Sequence, residues 1–166
     1  MPYWQLFYHI VWATKNREPI LSPDIDSIIY GYLKAKAISL GVVVFALDGW
    51  HDHVHMVAAI PPSIAVAKFI GQVKAVAATK FNKSGHPKAP LYWQSEYAVF
   101  SFDKKNLPNY ISYVKGQKEH HTNKTGIPIL ERTKGDGVRL IRETDEIYTT
   151  DQTEWVRAMG SLDKPD

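Results

Sequence analysis

The sequence predicts an α+β fold: an antiparallel sheet with helices packed on one face. Three observations predict it. Short β-branched and aromatic runs alternate with amphipathic helical patterns, turn signals punctuate them, and no linker or repeat divides the 166 residues. The length suits one domain, and a 45% hydrophobic content is enough for one real core.

Trp4 to Thr14 is aromatic and β-branched, which predicts the first strand, and Arg17-Glu18-Pro19 ends it. Ser22-Pro23-Asp24 opens a helix, with Ser as the cap, Pro at the first helical position and Asp in the first turn. Ile25, Ile28, Ile29, Tyr32, Leu33 and Leu40 recur at helical spacing before Gly41. Val42 to Leu47 reads as a buried strand, with a turn at Asp48-Gly49 that extends to His51. His53 to Ile60 is the next strand, stopped by Pro61-Pro62. Ser63 is placed to cap a helix running to about Asn82, with Val66, Phe69, Ile70, Val73 and Ala77 inward. Tyr97 to Phe102 is a fourth strand. Asp103 caps a further helix whose firm part is Asn109 to His121. Ile127 to Ile147 reads as a β-hairpin around Lys134-Gly135-Asp136-Gly137, and the signals from Thr149 onward are weak. The order β-α-β-β-α-β, followed by a C-terminal helix and hairpin, is the ferredoxin-like split βαβ pattern. That fold hosts many activities, so function has to be read from particular residues.

Composition narrows the chemistry. There is no cysteine, which excludes disulfides, thiolate metal sites and cysteine nucleophiles. No apolar run approaches the ~20 residues of a membrane span, and the apolar start lacks a basic leader. A cytoplasmic protein is the expectation. Residues 1–126 carry 14 Lys and Arg against 8 Asp and Glu, a balance of +6; residues 127–166 carry 6 against 9, a balance of −3. A basic body with an acidic tail is compatible with a polyanionic partner, and equally with ordinary solvation.

Three groups of residues carry possible chemistry. Strand side chains alternate faces, so His53 and His55 point the same way and can share one divalent cation. His51 has the same parity at the strand's mouth, as a further ligand or accessory acid. Tyr113 and Gln117 stand at i and i+4 on a helix, with Tyr110 nearby as a rival. A phenol with a free pKa of ~10 is a nucleophile only where something assists its ionisation. Gln117 supplies a neutral oxygen that either ligates a cation or orients the attack. Finally, Lys15, Arg17, Lys68, Lys74, Lys83 and Lys88 are candidate phosphate contacts, with Trp50 and Trp93 as stacking surfaces. On helical spacing, Lys68 and Lys74 are expected to project outward.

These residues together resemble the IS200-like (Y1) transposases of the HUH endonuclease superfamily. His53-Val54-His55 matches that superfamily's His-hydrophobic-His motif, within Trp50-His51-Asp52-His53-Val54-His55-Met56. Tyr113-Val114-Lys115-Gly116-Gln117 resembles its Tyr-Ile-x-x-Gln motif, Tyr97 to Ser101 its Gly-x-Phe-Ser strand, and Glu119-His120-His121 its helix end. The resemblance covers about residues 3–122, so residues 1–126 are expected to form the catalytic domain and 127–166 a C-terminal extension. It implies a nucleophile at Tyr113 and a Mg²⁺ or Mn²⁺ ion held by His53, His55 and Gln117. It also implies single-stranded, hairpin-forming DNA as substrate and a homodimer whose active sites are completed in trans. The alternative is a domesticated or non-cutting protein that binds DNA hairpins on the same fold.

Overall fold

The structure, a computed structural model, describes residues 1–86, 89–135 and 152–161. Four strands form one sheet: β1 (Phe7–Ala13), β2 (Val43–Gly49), β3 (His53–Ala59) and β4 (Ala98–Phe102), in the order β2-β3-β1-β4 with every pairing antiparallel. This is the expected split βαβ arrangement. The two strands richest in functional residues, β1 and β3, are central and lie side by side, with Val11 opposite His55 and Ala13 opposite His53.

Alternation along these strands sorts their side chains into two cores. Ile10, Trp12, Val54, Met56 and Ala58 face α1 (Pro23–Ser39) and α2 (Val66–Lys83), whose Ile25, Ile29, Leu33, Phe69, Ile70 and Val73 complete the larger core. His9, His53, His55 and Val57 face the other way. A β-bulge between Val44 and Ala46 turns Ala46 toward Val57 on this second face, while Leu47 packs with the first core.

The second face is covered too, by α3 (Leu107–Lys115), α4 (Gln117–Asn123), the 3-10 turn Pro128–Glu131 and α5 (Gln152–Ser161). The helices of the split βαβ motif thus share one face as expected, and the C-terminal elements form a third layer. The region after Thr149, which the sequence left without a firm element, contributes α5. Trp155 and Met159 of that helix are buried beside Tyr110 and Tyr113.

Other boundaries differ for local reasons. Helix α2 starts after Ala65 because Ile64 donates to the Pro61 carbonyl (3.1 Å), drawing Ser63 into the turn behind Pro61-Pro62. Asp103 does cap, accepting from Asn106 N–H at 3.1 Å, but the first turn is 3-10. The expected single helix to His121 breaks at Gly116, so Gln117 begins a new one. The expected hairpin is corrected in its first half. Pro128 lacks an N–H for a strand ladder, and Ile127, Ile129 and Leu130 all bury in a 3-10 turn. Its remainder, from Asp136, lies outside the described residues.

Gly49 allows β2 and β3 to close tightly. A Cβ there would fall 2.2 Å from the His53 carbonyl oxygen and 3.0 Å from the Val54 Cα. Trp50 N–H donates to that same carbonyl at 3.0 Å. The start of β3, and with it His53, is therefore set by backbone contact with a residue that has no side chain.

Candidate active site

His53 and His55 lie two residues apart on β3 and are both buried, with ring centroids 5.0 Å apart. Each has a partner on its Nδ1 side. Asp52 Oδ1 lies 2.6 Å from His53 Nδ1, and His9 Nε2 lies 3.0 Å from His55 Nδ1. The outer atoms, both Nε2, meet one carboxylate oxygen: Glu131 Oε2 is 3.1 Å from His53 and 3.2 Å from His55. His121, from α4, brings its Nε2 to 3.1 Å from the same oxygen and 3.1 Å from His53 Nε2.

Tyr113 reaches this cluster from α3. Its hydroxyl donates to the other oxygen of Glu131 and accepts from the Ile127 N–H at 2.9 Å. One carboxylate therefore joins the tyrosine to the histidine pair within a single chain. Tyr110, the rival, points elsewhere: it stacks on Phe102 at 3.9 Å, and its hydroxyl contacts Met159 Sδ at 3.7 Å.

Gln117 is fully buried at the start of α4. Its Nε2 donates to the Tyr113 carbonyl at 3.4 Å, and its Oε1 has no hydrogen-bond partner among the described residues. His51 stands apart from the cluster. It is exposed, its Nδ1 is 3.1 Å from the Leu21 carbonyl, and its ring lies against Trp50.

Electrostatics follow from this packing. Burial, then the neighbouring Glu131 charge, push the Tyr113 hydroxyl far above its ordinary range. Burial opposes ionisation of Glu131, yet hydrogen bonds from His53 and His55 hold its carboxyl well below the usual range. Burial also opposes charge on His53, but Asp52 and Glu131 overcome it and raise that pKa. His55, fully buried, is lowered by desolvation, and His9 is lowered further by desolvation and by the adjacent His55.

The group suits a divalent cation. Ligand atoms of His53, His55, His121 and Glu131 all lie within 4.8 Å of one another. If His53 keeps its proton on Nδ1 and donates it to Asp52, that ring turns its Nε2 lone pair toward Glu131, an arrangement typical of ligating histidines. Three imidazole nitrogens facing one carboxylate oxygen need a proton or a cation between them. The orphaned Oε1 of buried Gln117 is an additional neutral oxygen without a donor.

Of the residues the sequence singles out, His53, His55 and Tyr113 come together at Glu131 and Gln117 lies against the Tyr113 carbonyl, whereas Glu131 and His9 carry no sequence signal for the cluster. In the sequence His121 reads only as part of a helix end. No local spacing links these residues to the His pair. Their shared location depends on the break at Gly116 and the 3-10 turn at Pro128.

The cationic candidates divide. Lys15 and Arg17 are exposed beside the site, and Lys68 and Lys83 are exposed on α2. Lys74 is corrected: it is buried rather than outward, with Nζ donating to the carbonyls of Gln94 (2.6 Å), Ser95 (3.3 Å) and Glu96 (3.3 Å). It tethers the loop before β4. Lys88 lies outside the described residues. Among the described residues, no helix is long and apolar enough to cross a membrane.

Comparison with known proteins places the chain in a family. It is 23% identical over 121 residues to the ISDra2 transposase TnpA of Deinococcus radiodurans, covering 70% of this chain and 86% of that one. It is 26% identical over 121 residues to the IS200 transposase of Salmonella typhimurium, covering 70% and 79%. Among solved structures, one assigned as a transposase from Deinococcus radiodurans superposes with a TM-score of 0.57 at 24% identity, over 70% of this chain and 95% of that one. A REP-associated tyrosine transposase bound to a REP hairpin gives 0.54 at 11% identity, over 76% and 75%. These two likenesses support the fold. The family model for IS200-like transposases matches residues 2–117, and the chain belongs to that family.

Proposed function

We propose that this transposase cuts and rejoins single-stranded DNA, with Tyr113 as the nucleophile. One observation carries the reading: the Tyr113 hydroxyl and the His53–His55 pair converge on the two oxygens of Glu131. The Tyr113 oxygen would bond to the scissile phosphorus as the phosphorus–O3′ bond breaks. The products are a 5′-phosphotyrosine and a free 3′-hydroxyl, which takes up a proton as the Tyr113 hydroxyl gives one up. The ester retains its energy, so the reverse attack by another 3′-hydroxyl rejoins a strand without a nucleotide cofactor.

His53, His55 and, from the family resemblance, Gln117 would hold Mg²⁺ or Mn²⁺; His121 and Glu131 stand close enough to join them. Such an ion, when bound, polarises a phosphoryl oxygen and orients the phosphate for in-line attack. The protein's own groups set the geometry around it. Asp52 fixes the His53 ring, His9 fixes the His55 ring, and the Ile127 N–H fixes the Tyr113 oxygen. The substrate class is single-stranded DNA, of the hairpin-forming kind that the hairpin-bound structural relative holds. The trans-completed homodimer implied by resemblance would exchange Tyr113 between chains, whereas here both halves of the site come from one chain.

A second reading, a hairpin-binding protein that does not cut, draws on a specific observation. Tyr113 is only 2% exposed, and its hydroxyl is engaged on both sides. Attack requires the Ile127–Glu131 turn to shift. The test is a covalent adduct. Labelled single-stranded hairpins are incubated with Mn²⁺ or Mg²⁺ and resolved on denaturing gels beside Tyr113→Phe and Tyr110→Phe. An adduct lost only in Tyr113→Phe and with chelator supports the nuclease. DNA binding without any adduct favours the second reading.

A further inference from the structure

Beside the active site, three chain segments together with Gly71, Lys74, Ala75 and Ala78 of α2 line an open groove of about 860 Å³. The first is the 3-10 turn Lys15–Arg17, where Asn16 and Arg17 both adopt left-handed backbone conformations (φ 56° and 53°). The second is Tyr92–Glu96, and the third is Thr133–Lys134. Hydrogen bonds fix them to one another. Lys15 N–H donates to the Tyr92 carbonyl (2.8 Å), Gln94 Nε2 to the Thr133 carbonyl (2.7 Å), and Arg17 Nη1 to Thr133 Oγ1 (3.1 Å). Two adjacent non-glycine residues at positive φ are uncommon and persist only where surrounding contacts hold them, as these do.

The groove's surface is cationic and aromatic. Lys15 and Lys134 are exposed on its walls, whereas Lys74 is committed to carbonyls beneath it. Trp93 is part of the wall itself, its indole N–H donating to the Lys74 carbonyl at 3.1 Å and its ring edge-on to Trp12. Tyr92 is different: the residue is 56% exposed in this basic setting. Among the described residues Glu96 is the one acidic residue lining the groove, so a polyanion is drawn to the Lys15 and Lys134 walls. A chain of side-chain contacts links the groove to the catalytic cluster. Arg17 Nε pairs with Asp52 Oδ2 at 2.9 Å, and the other oxygen of Asp52 holds His53. Thr133, which ties two walls together, follows Glu131 by two residues.

We propose that this groove binds the unpaired DNA flanking the phosphate that Tyr113 attacks, with a base stacked on Tyr92 and backbone phosphates at Lys15 and Lys134. The assignment rests on the single-strand nuclease reading and adds to it where the strand enters. Exposed aromatics with interleaved cations suit single strands, because every unpaired base offers a face and duplex bases do not. Asp52 then links strand seating to the orientation of His53.

The test uses the full-length protein and a fluorescent thymidine oligonucleotide of about twelve residues, with a duplex of equal length as control. The expected result is that Tyr92→Ala weakens thymidine binding about tenfold and leaves duplex binding unchanged. Lys15→Ala combined with Lys134→Ala should lower the slope of log affinity against log salt by about 1.4, the value for two single-strand phosphate contacts. Failure of the wild type to bind the thymidine strand overturns the proposal, as does an equal loss on the duplex in Tyr92→Ala. Adduct formation by wild-type protein on a hairpin substrate checks the nuclease reading separately. An adduct with no role for Tyr92 refutes the groove alone, and tight, Tyr92-dependent strand binding without an adduct refutes the nuclease alone.

Discussion

Asp52 Oδ1 lies 2.6 Å from His53 Nδ1, while its other oxygen pairs with Arg17 Nε at 2.9 Å. One carboxylate thereby orients a candidate metal ligand from behind and anchors the neighbouring turn. Such supporting carboxylates fix a histidine's tautomer and raise its basicity, and losing them typically costs 10–100-fold in metal affinity. Asp52→Asn should therefore weaken Mn²⁺ binding by roughly that factor. The fold should survive, because Asp52 is half-buried at the sheet's mouth rather than in either core. Calorimetric titration of the metal, with circular dichroism to confirm folding, checks this. An unchanged Mn²⁺ affinity would remove Asp52 from the site.

Glu131 bridges the two halves of the site, so its removal separates them. Glu131→Gln retains volume but replaces the charged oxygen that faces three imidazole nitrogens. Mn²⁺ affinity should drop by at least tenfold, in line with loss of one anionic ligand or its close support. The Tyr113 hydroxyl should also ionise more easily, because the Glu131 charge is one of the causes raising its pKa. Its sign is clear: removing a negative neighbour lowers the cost of a phenolate. Difference absorbance of the phenolate on alkaline titration, compared with Glu131→Gln/Tyr113→Phe, reads that shift. A titration identical to wild type would count against the contact.

What could be read in advance depended on range. Strand alternation put His53 and His55 on one face, a local periodicity that tertiary packing preserved; helical spacing put Tyr113 with Gln117, and although the helix breaks at Gly116 the Gln117 amide still reaches the Tyr113 carbonyl. Glu131 carries no such signal. Its approach depends on the turn at Pro128, on the redirected chain after Gly116, and on burial of Ile127, Ile129 and Leu130. Lys74 shows the opposite failure. Charge predicted exposure, but three loop carbonyls needed a donor and the long side chain supplied it. The weak pattern after Thr149 concealed α5, in which Trp155 and Met159 are the buried residues among those whose side chains are described.

Trp155 gives a direct measure of how far the last helix supports the site. It is 1% exposed and lies edge-on to Tyr110 at 4.8 Å, with Tyr113 at 6.4 Å. Trp155→Ala should destabilise the protein by about 3–5 kcal/mol if the cavity stays open. A looser helix that detaches instead would cost less, at most the burial of that one face. Urea unfolding distinguishes these outcomes by midpoint and slope. A change under about 0.5 kcal/mol, the range of ordinary surface substitutions, would show that α5 does not clamp the tyrosine helix.

Two adjacent buried imidazoles make the metal-free site sensitive to acid. His9 and His55 are fully buried, their nitrogens 3.0 Å apart, and His9 Nδ1 has no partner among the described residues. Burial lowers both pKa values, and their mutual repulsion lowers that of His9 further. A base with a depressed folded pKa stays neutral in the native state while the unfolded chain takes up protons near its ordinary value. Each therefore contributes stability that is lost as pH falls below about 6.5. His53 acts in the opposite sense, since its raised pKa favours the native state until pH rises through it. Burial lowers His121 as well, so three lowered histidines outnumber the raised one. In the presence of chelator, Tm should accordingly fall between about pH 7.5 and 5.5. His9→Phe keeps a flat ring beside Phe100, 6.2 Å away, and removes one of the two neutral imidazoles. That variant should show a shallower fall over the same interval, and a slope equal to wild type would mean that His9 does not titrate with unfolding.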